Sequence, residues 1–400
     1  MSKTQRIVIK VGSSLLTDQN KLVPRWAFLQ RLMEDIGVLT ARGYEVILCS
    51  SGAVSLGMKM IGLTPATAGL RDKQAAAACG MPLLLNAYKQ IGHEHDLNIA
   101  QILVTLGDFG DHRRFLNTKN TLHRLLESGV LPIINENDTI TTEEIRVGDN
   151  DRLAAKVAQM VQAQHLVILT GVDGLYDRNP SEPGAQLVET VHDVSQYLAV
   201  TSEVSTLGTG GMLTKMQAAN MAQNAGCTTL IANGEADNPI TSVLDGARPC
   251  TTCVAHAEPA DSWAAWLTDR LQMDGSIVIS NKAADAMADS GQGIDRNAVI
   301  SICGSYVKGD VIHIYDETGT ERARGMTDFS SEETAILVRN RDIPVKQLIG
   351  YHSRATLVEF ENLICLDDRH ILWEPQEAEA PDTTHARDNS RASSHAMQPA

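Results

Sequence analysis

Several things are missing from this chain, and each absence excludes something. No stretch approaches the roughly 20 consecutive apolar residues of a bilayer-spanning helix, and the N-terminal residues lack the apolar core of a secretory signal. The expectation is a soluble, cytoplasmic protein. Cysteine is sparse, seven in 400 residues, scattered and odd in number, which argues for reduced thiols rather than a disulfide framework. Cys250-Thr-Thr-Cys253 is a lone CxxC with no second pair and no histidine at zinc spacing. His93-Glu94-His95 is not HExxH and reads as an exposed helix end. Positive charge is short as well: 34 basic against 49 acidic residues gives −15, which disfavours a polyanion as main partner of the whole chain. There is no GxxxxGK[ST], nor even a Gly-Lys dipeptide, so a P-loop enzyme is excluded. GxGxxG is absent after the first strand, which weakens a dinucleotide reading.

What is present is the composition of a globular protein, 43% apolar and 21% charged, long enough for two or three domains. Strand-like apolar runs recur at 8–10, 45–50, 99–105, 130–135, 165–170 and 227–233. Helical patterns lie between them. Phe28, Leu32, Ile36 and Leu39 mark one face of the first, with Pro24 where it could start and Gly43 where it would stop. Others span about 70–92, 114–127, 150–163 and 212–225. Short strands buried on both sides and alternating with helices imply an α/β fold, a mainly parallel sheet covered on both faces. After about 260 the pattern changes to short alternating strands (SIVIS, AVISICGSY, VIHIYD, AILVRN) with turns at Lys308-Gly309-Asp310 and Glu317-Thr318-Gly319. The expected organisation is a first domain over 1–262, a small β-rich domain over 274–371, and a disordered tail over 372–400 that has too few apolar residues to offset ordering entropy.

Ligands of parallel α/β sheets bind outside the carboxyl ends of the strands, so the strand tips are the place to look. The first carries Lys10, Gly12 and Ser13, and the second reads SSGAVSLG over 50–57. The fourth runs into Asn135-Glu136-Asn137-Asp138 and then VGDNDRLAAKVA over 147–158, where Asp149 or Asn150 suits a helix N-cap. The fifth gives TGVDGLYD over 170–177. LGTGGMLTK over 207–215 is the sharpest signal. Glycines at 208, 210 and 211 leave backbone N–H groups uncovered ahead of a helix start, and Lys215 adds a full charge in the first turn. Cations stabilise that end of a helix poorly, so an unpaired lysine there implies an anion above it.

These segments, in this order, resemble the amino acid kinase family. IVIKVGSSLL, SSGAVSLG, RRFLNTKNTL, PIINENDT, EIRVGDND, TGVDGLYD and LGTGGMLTK carry the resemblance. INEND and VGDND point to its glutamate-phosphorylating branch, and 274–365 is similar to the PUA domain that follows the kinase domain in many bacterial members. The resemblance implies a three-layer sandwich and ATP-dependent phosphorylation of the side-chain carboxylate of L-glutamate, the first step of proline synthesis. Lys10 would contact the transferring phosphoryl group, with Gly12 and Ser13 as donors. Lys215 would act from the opposite side, and Asp151 would orient the two lysines. Ser51, Asp138 and Asn150 match the family's glutamate contacts, with Asp138 facing the substrate ammonium. Thr170, Gly171 and the run Thr209, Gly210, Gly211, Met212, Leu213, Thr214 and Lys215 match its ATP-binding segments. Magnesium would bridge the phosphates without a dedicated protein cage. The family commonly has Thr-Asp where this chain has Thr170-Gly171; lower ATP affinity follows if that carboxylate matters.

The resemblance also implies proline as feedback inhibitor and a homo-oligomer built through the kinase domain. Two other readings stand beside it. One is a sister carboxylate kinase acting on aspartate or N-acetylglutamate. The other is an RNA-binding protein working through the PUA-like region. Residues 274–369 hold ten Lys/Arg against sixteen Asp/Glu, a balance of −6, with no basic stripe interleaved with aromatics. Nucleic acid is therefore not expected as the main ligand.

Overall fold

The computed structural model describes residues 5–18, 20–63, 68–140, 149–198, 211–257, 275–350 and 356–366. The backbone divides into two compact units, Met1–Leu271 and Gln272–Ala400. The tail expected over 372–400 lies outside the described residues.

In the first unit β1 (Arg6–Val11) leads through the single turn α1 (Ser13–Leu16) and the small ribbon β2 (Thr17–Asp18) and β3 (Val23–Pro24) into α2 (Trp26–Ala41). There follow β4 (Glu45–Cys49), α3 (Ala53–Met60), α4 (Leu70–Glu94), β5 (Asn98–Val104), α5 (His112–Glu127), β6 (Val130–Glu136), α6 (Asp149–Met160) and β7 (His165–Thr170). The unit ends with β8 (Thr190–Val191), α7 (Gly211–Asn224), β9 (Thr228–Asn233), α8 (Thr241–Leu244) and β10 (Thr251–Cys253). The sheet order is β5-β6-β4-β1-β7-β9-β10-β8, parallel at every pairing except β9 with β10. This is the expected three-layer, mainly parallel α/β architecture.

The β-branched run of β1 makes it the central strand, paired to β4 on one side and β7 on the other. Side chains alternate along a strand. Ile7, Ile9 and Val11 therefore enter the core shared with Phe28, Leu32 and Ile36 of α2 and Tyr88 of α4. Lys10 falls with Val8 on the other face, the one that α6 covers. Gly43, in the left-handed region at φ 88°, ends the first helix as its sequence suggested. One strand departs from expectation: β5 is an edge of the sheet and is exposed or half-buried at every residue but its last.

Two tertiary devices fix the elements that reach the strand tips. Asp35, fully buried on α2, accepts from Ile240 N (2.7 Å) and Thr241 Oγ1 (2.6 Å), so it caps α8 from 205 positions away. Between α3 and α4 two glycines let backbones touch. A Cβ on Gly57 would stand 1.7 Å from the Ala76 carbonyl oxygen, and one on Gly80 would stand 1.9 Å from that of Ala53. Only bare Cα atoms permit that approach.

The second unit is a five-stranded sheet in the order β13-β11-β14-β15-β17, built from β11 (Gly275–Ile279), β13 (Val299–Gly304), β14 (Val311–Tyr315), β15 (Glu321–Met326) and β17 (Leu363–Cys365). β12 (Ile294–Asp295) and β16 (Thr356–Val358) form a second small ribbon. Helices α9 (Asn281–Ser290), α10 (Ser331–Arg339) and α11 (Val345–Ile349) complete it. AILVRN, read as a strand, lies instead in α10 and its cap. Ser330 and Glu333 form a reciprocal capping box that starts a helix four residues ahead of the apolar run.

Gly80→Ala is expected to lower stability by about 1–3 kcal/mol through overpacking against α3. Urea-unfolding midpoints would measure it, and an unchanged midpoint would contradict the backbone contact.

Candidate active site

At the carboxyl ends of β1, β4 and β6 lies a cleft of about 360 Å³, within the usual range for small-molecule sites. Its floor is an ion-pair triad. Asp151, in the first turn of α6 and 1% exposed, presents Oδ1 to Lys10 Nζ at 2.5 Å and Oδ2 to Lys215 Nζ at 3.3 Å. Thr214 Oγ1 donates to the same Oδ2 at 2.9 Å. Lys215 Nζ also donates to the Gly211 carbonyl at 3.0 Å, one turn back on α7. The lysine read as unpaired therefore has a carboxylate partner, which answers its poor placement near the positive end of its own helix.

The local fold explains each position. Lys10 is delivered by the alternation of β1, and Asp151 by the start of the helix that covers that face. A carboxylate in a first helical turn is favoured by the helix dipole. Lys215 arrives on α7, which Gln223 anchors by accepting from Val194 N (3.1 Å) and donating to the carbonyls of His192 (2.8 Å) and Val254 (2.7 Å).

Burial alone would raise the Asp151 carboxyl, but Lys10 and then Lys215 outweigh it and hold it below its ordinary 3.8. For Lys215 burial is the largest influence and lowers the ammonium below its ordinary value. Asp151 opposes that shift and Lys10 adds to it. One carboxylate and two ammonium groups give the triad a formal charge of +1 at the base of the cleft.

The walls come from the neighbouring tips. Ser51 follows β4 and accepts from Asn150 Nδ2 at 2.9 Å. Ser50 is fully buried and bonds Tyr88 OH at 2.9 Å, which pins the tip from beneath. Gly52, in the left-handed region at φ 96°, turns the chain into α3, where a Cβ would meet Thr17 Oγ1 at 2.9 Å. Asn135 donates to Met81 Sδ at 3.3 Å and accepts from Glu136 N at 2.9 Å. Among the described residues Asn150 Oδ1 is buried without a hydrogen-bond donor; an acceptor left in that state is costly unless a ligand supplies the proton.

Of the residues singled out in the sequence, Lys10, Gly12, Ser13, Ser51, Asp138, Asn150, Asp151, Thr214 and Lys215 all line this cleft. Thr170 and Gly171 do not; they sit at the tip of β7, where a Cβ on Gly171 would meet nothing within 4 Å. Gly211 enters through its carbonyl, while Met212 and Leu213 are half-buried on α7 away from the lining. Thr209 and Gly210 lie outside the described residues. The sequence reading missed Lys73, which lines the cleft from the first turn of α4. A lysine just after a helix start is the same signal that drew attention to Lys215.

Buried paired cations at the tips of a parallel sheet, without a P-loop, define a class of α/β enzyme that manages anions with lysines and backbone rather than a Walker motif. Comparison with known proteins agrees: the model of the amino acid kinase family matches residues 5–233, and that of the PUA domain matches 275–349. A glutamate 5-kinase of Rhodospirillum rubrum is 39% identical over 365 residues, covering 90% of this chain and 96% of the relative. Those of Paramagnetospirillum magneticum (36%; 91% and 98% covered) and Methylococcus capsulatus (37%; 90% and 97% covered) are similar over comparable lengths. This chain belongs to the amino acid kinase family.

Asp151 has a lower carboxyl pKa folded than unfolded. Its contribution to stability is therefore complete above 3.8 and is lost as pH falls through the lower folded value. Asp151→Asn is expected to cost about 3–5 kcal/mol at neutral pH, because two buried ammonium groups lose their counter-ion. The gap from the parent protein should close on acidification below 3.8. Urea midpoints across pH would check it, and a gap independent of pH would be inconsistent with the triad.

Proposed function

We propose that this protein transfers the γ-phosphoryl group of ATP to the side-chain carboxylate of L-glutamate, forming glutamyl 5-phosphate and ADP, the opening step of proline synthesis. The observation that carries the reading is the Lys10–Asp151–Lys215 triad beneath a cleft walled by Ser51, Asp138 and Asn150. The relatives named glutamate 5-kinase, covered almost end to end, support glutamate over aspartate or N-acetylglutamate.

The chemistry asks little covalent work of the protein. A glutamate side chain, with an ordinary pKa near ~4.3, is already ionised at neutral pH, so no general base is needed. An oxygen of that carboxylate attacks the γ-phosphorus, and the bond from phosphorus to the β-phosphate bridge breaks with its electron pair leaving on ADP. The obstacle is bringing two anions together, and preorganised positive charge is what removes it. Lys10 and Lys215, held apart by one carboxylate, supply that charge from two directions. Asp138 and the donorless Asn150 Oδ1 offer acceptors to the substrate ammonium.

No cluster of three or more His, Cys, Asp or Glu side chains suited to a metal occurs among the described residues. Asp151 is engaged by both lysines. A magnesium ion therefore fits best as one carried in by the nucleotide, with phosphate oxygens and water as ligands; bound there it would neutralise phosphate charge. Thr170, Gly171 and the segment 209–215 belong to our reading of the nucleotide side. Proline as feedback inhibitor and a homo-oligomer complete that reading, together with a cytoplasmic location. Among the described residues no helix is long and apolar enough to cross a membrane. An RNA-binding role for the second unit finds less support, since Lys308, Arg322 and Arg324 are tied to Asp328, Asp316 and Glu321.

The test is an ATP- and magnesium-dependent assay with glutamate in hydroxylamine, which traps an acyl phosphate as hydroxamate. Product is expected with glutamate and not with N-acetylglutamate. Lys10→Ala and Lys215→Ala should each remain folded and lose roughly two to three orders of magnitude in kcat, comparable to deleting a transition-state donor. Near-normal turnover in both variants would refute the mechanism.

A further inference from the structure

The cleft contains a third ammonium that the phosphoryl-transfer chemistry does not use. Lys73 lies on the fourth residue of α4, half-buried, and lines the cleft with Ser51, Ala53, Glu136 and Asp138. Among the described residues its Nζ has neither an ion pair nor a hydrogen bond, and it stands beyond 4.0 Å from every carboxylate of the cleft. Its position is unfavourable for a cation, since the first turn of a helix is its positive end. Lys215 meets the same difficulty and resolves it through Asp151; Lys73 has no such relief among the described residues.

Its placement is nevertheless rigid. Gly57 and Gly80 bring α3 and α4 into backbone contact, so Lys73 is held in fixed relation to Ser51 and the start of α3. Positive charge on α4 thus shares one cleft with acceptors from a different element, Asp138 after β6 and Asn150 Oδ1 on α6. Such separated charges suit the head of an amino acid, which carries a carboxylate and an ammonium on one carbon.

We propose that Lys73 binds the α-carboxylate of the substrate and makes the site selective for amino acids in which that group is free. This rests on the glutamate reading above. The side-chain carboxylate is drawn to the Lys10 and Lys215 end, and the ammonium to Asp138 and Asn150. Among the described residues Lys73 is the remaining cation of the cleft lining, for the remaining negative charge of the substrate. A site that offers a charged donor penalises a ligand lacking its partner more than it rewards added apolar contact.

The experiment compares L-glutamate with L-isoglutamine, which keeps the side-chain carboxylate but carries a neutral α-carboxamide, in the parent protein, Lys73→Ala and Lys73→Arg. Hydroxamate formation reports both substrates. The parent should favour glutamate over isoglutamine by about ten- to a hundredfold in kcat/KM, the range for losing a charged hydrogen bond. Lys73→Ala should raise KM for glutamate by a similar factor and erase that preference, with KM for ATP and the isoglutamine constants within about twofold. Lys73→Arg should restore most of the preference. Should the alanine protein prove unstable by circular dichroism, Lys73→Met, which keeps the apolar stem, carries the same comparison. A Lys73→Ala protein that retains the parent's preference, or whose KM rises for ATP instead, overturns the assignment of Lys73 alone. A parent protein that forms no hydroxamate from glutamate overturns the kinase reading and this inference with it.

Discussion

One buried carboxylate holds the site together. Two ammonium groups brought close together in a protein interior repel each other, and each also resists leaving water. Asp151 offsets both costs by giving one oxygen to each lysine. It acts as an electrostatic spacer: without it, Lys10 and Lys215 could not remain charged side by side under an apolar sheet. With it they leave a net +1 directed into the cleft. Thr214, bonded to the oxygen that Lys215 shares, fixes the carboxylate further.

That arrangement requires precision from the fold, because the three charges come from positions 10, 151 and 215, on three separate elements. The central strand is locked by parallel pairing on both sides, α6 brings its first turn down over the face on which Lys10 emerges, and α7 is anchored by the buried Gln223. On the opposite wall the tip of β4 is pinned by the Ser50–Tyr88 bond and turned by a glycine no side chain could replace. Asp35 ties α2 to the far half of the sheet. The apolar core thus serves the polar site by limiting how far each tip can move.

Much of this was legible in the sequence because it rests on local rules. Apolar runs marked the strands, the tip of the first drew attention to Lys10, and a glycine-rich run before a helix flagged Lys215. Three features were not legible, for different physical reasons. AILVRN alternates like a strand, but the capping box at Ser330 and Glu333 starts a helix first. β5 is as apolar as its neighbours, yet edge position depends on strand order, a tertiary property. Lys73 carried the helix-start signal of Lys215, but its place in the cleft is visible only once α4 is packed on α3. The partner of Lys215 likewise required three dimensions, since Asp151 lies 64 positions away.

Charge balance explains why the cleft must be built this way. The chain carries −15 overall, while glutamate and ATP are both anionic, so the long-range field does not favour their approach. Screening limits that field to about 8–10 Å at physiological salt, and what the substrates meet on entry is local. There the balance differs: among the described lining residues three lysines (10, 73 and 215) face three acids (136, 138 and 151), a balance of zero within an acidic protein. The signs are also segregated. Two lysines share one acid, and the third is paired with none of the described acids. Charges separated in this way suit the zwitterionic head proposed above, and leave positive charge available for the phosphoryl group in the same reading. In this fold the number of charges matters less than which of them are allowed to pair with each other.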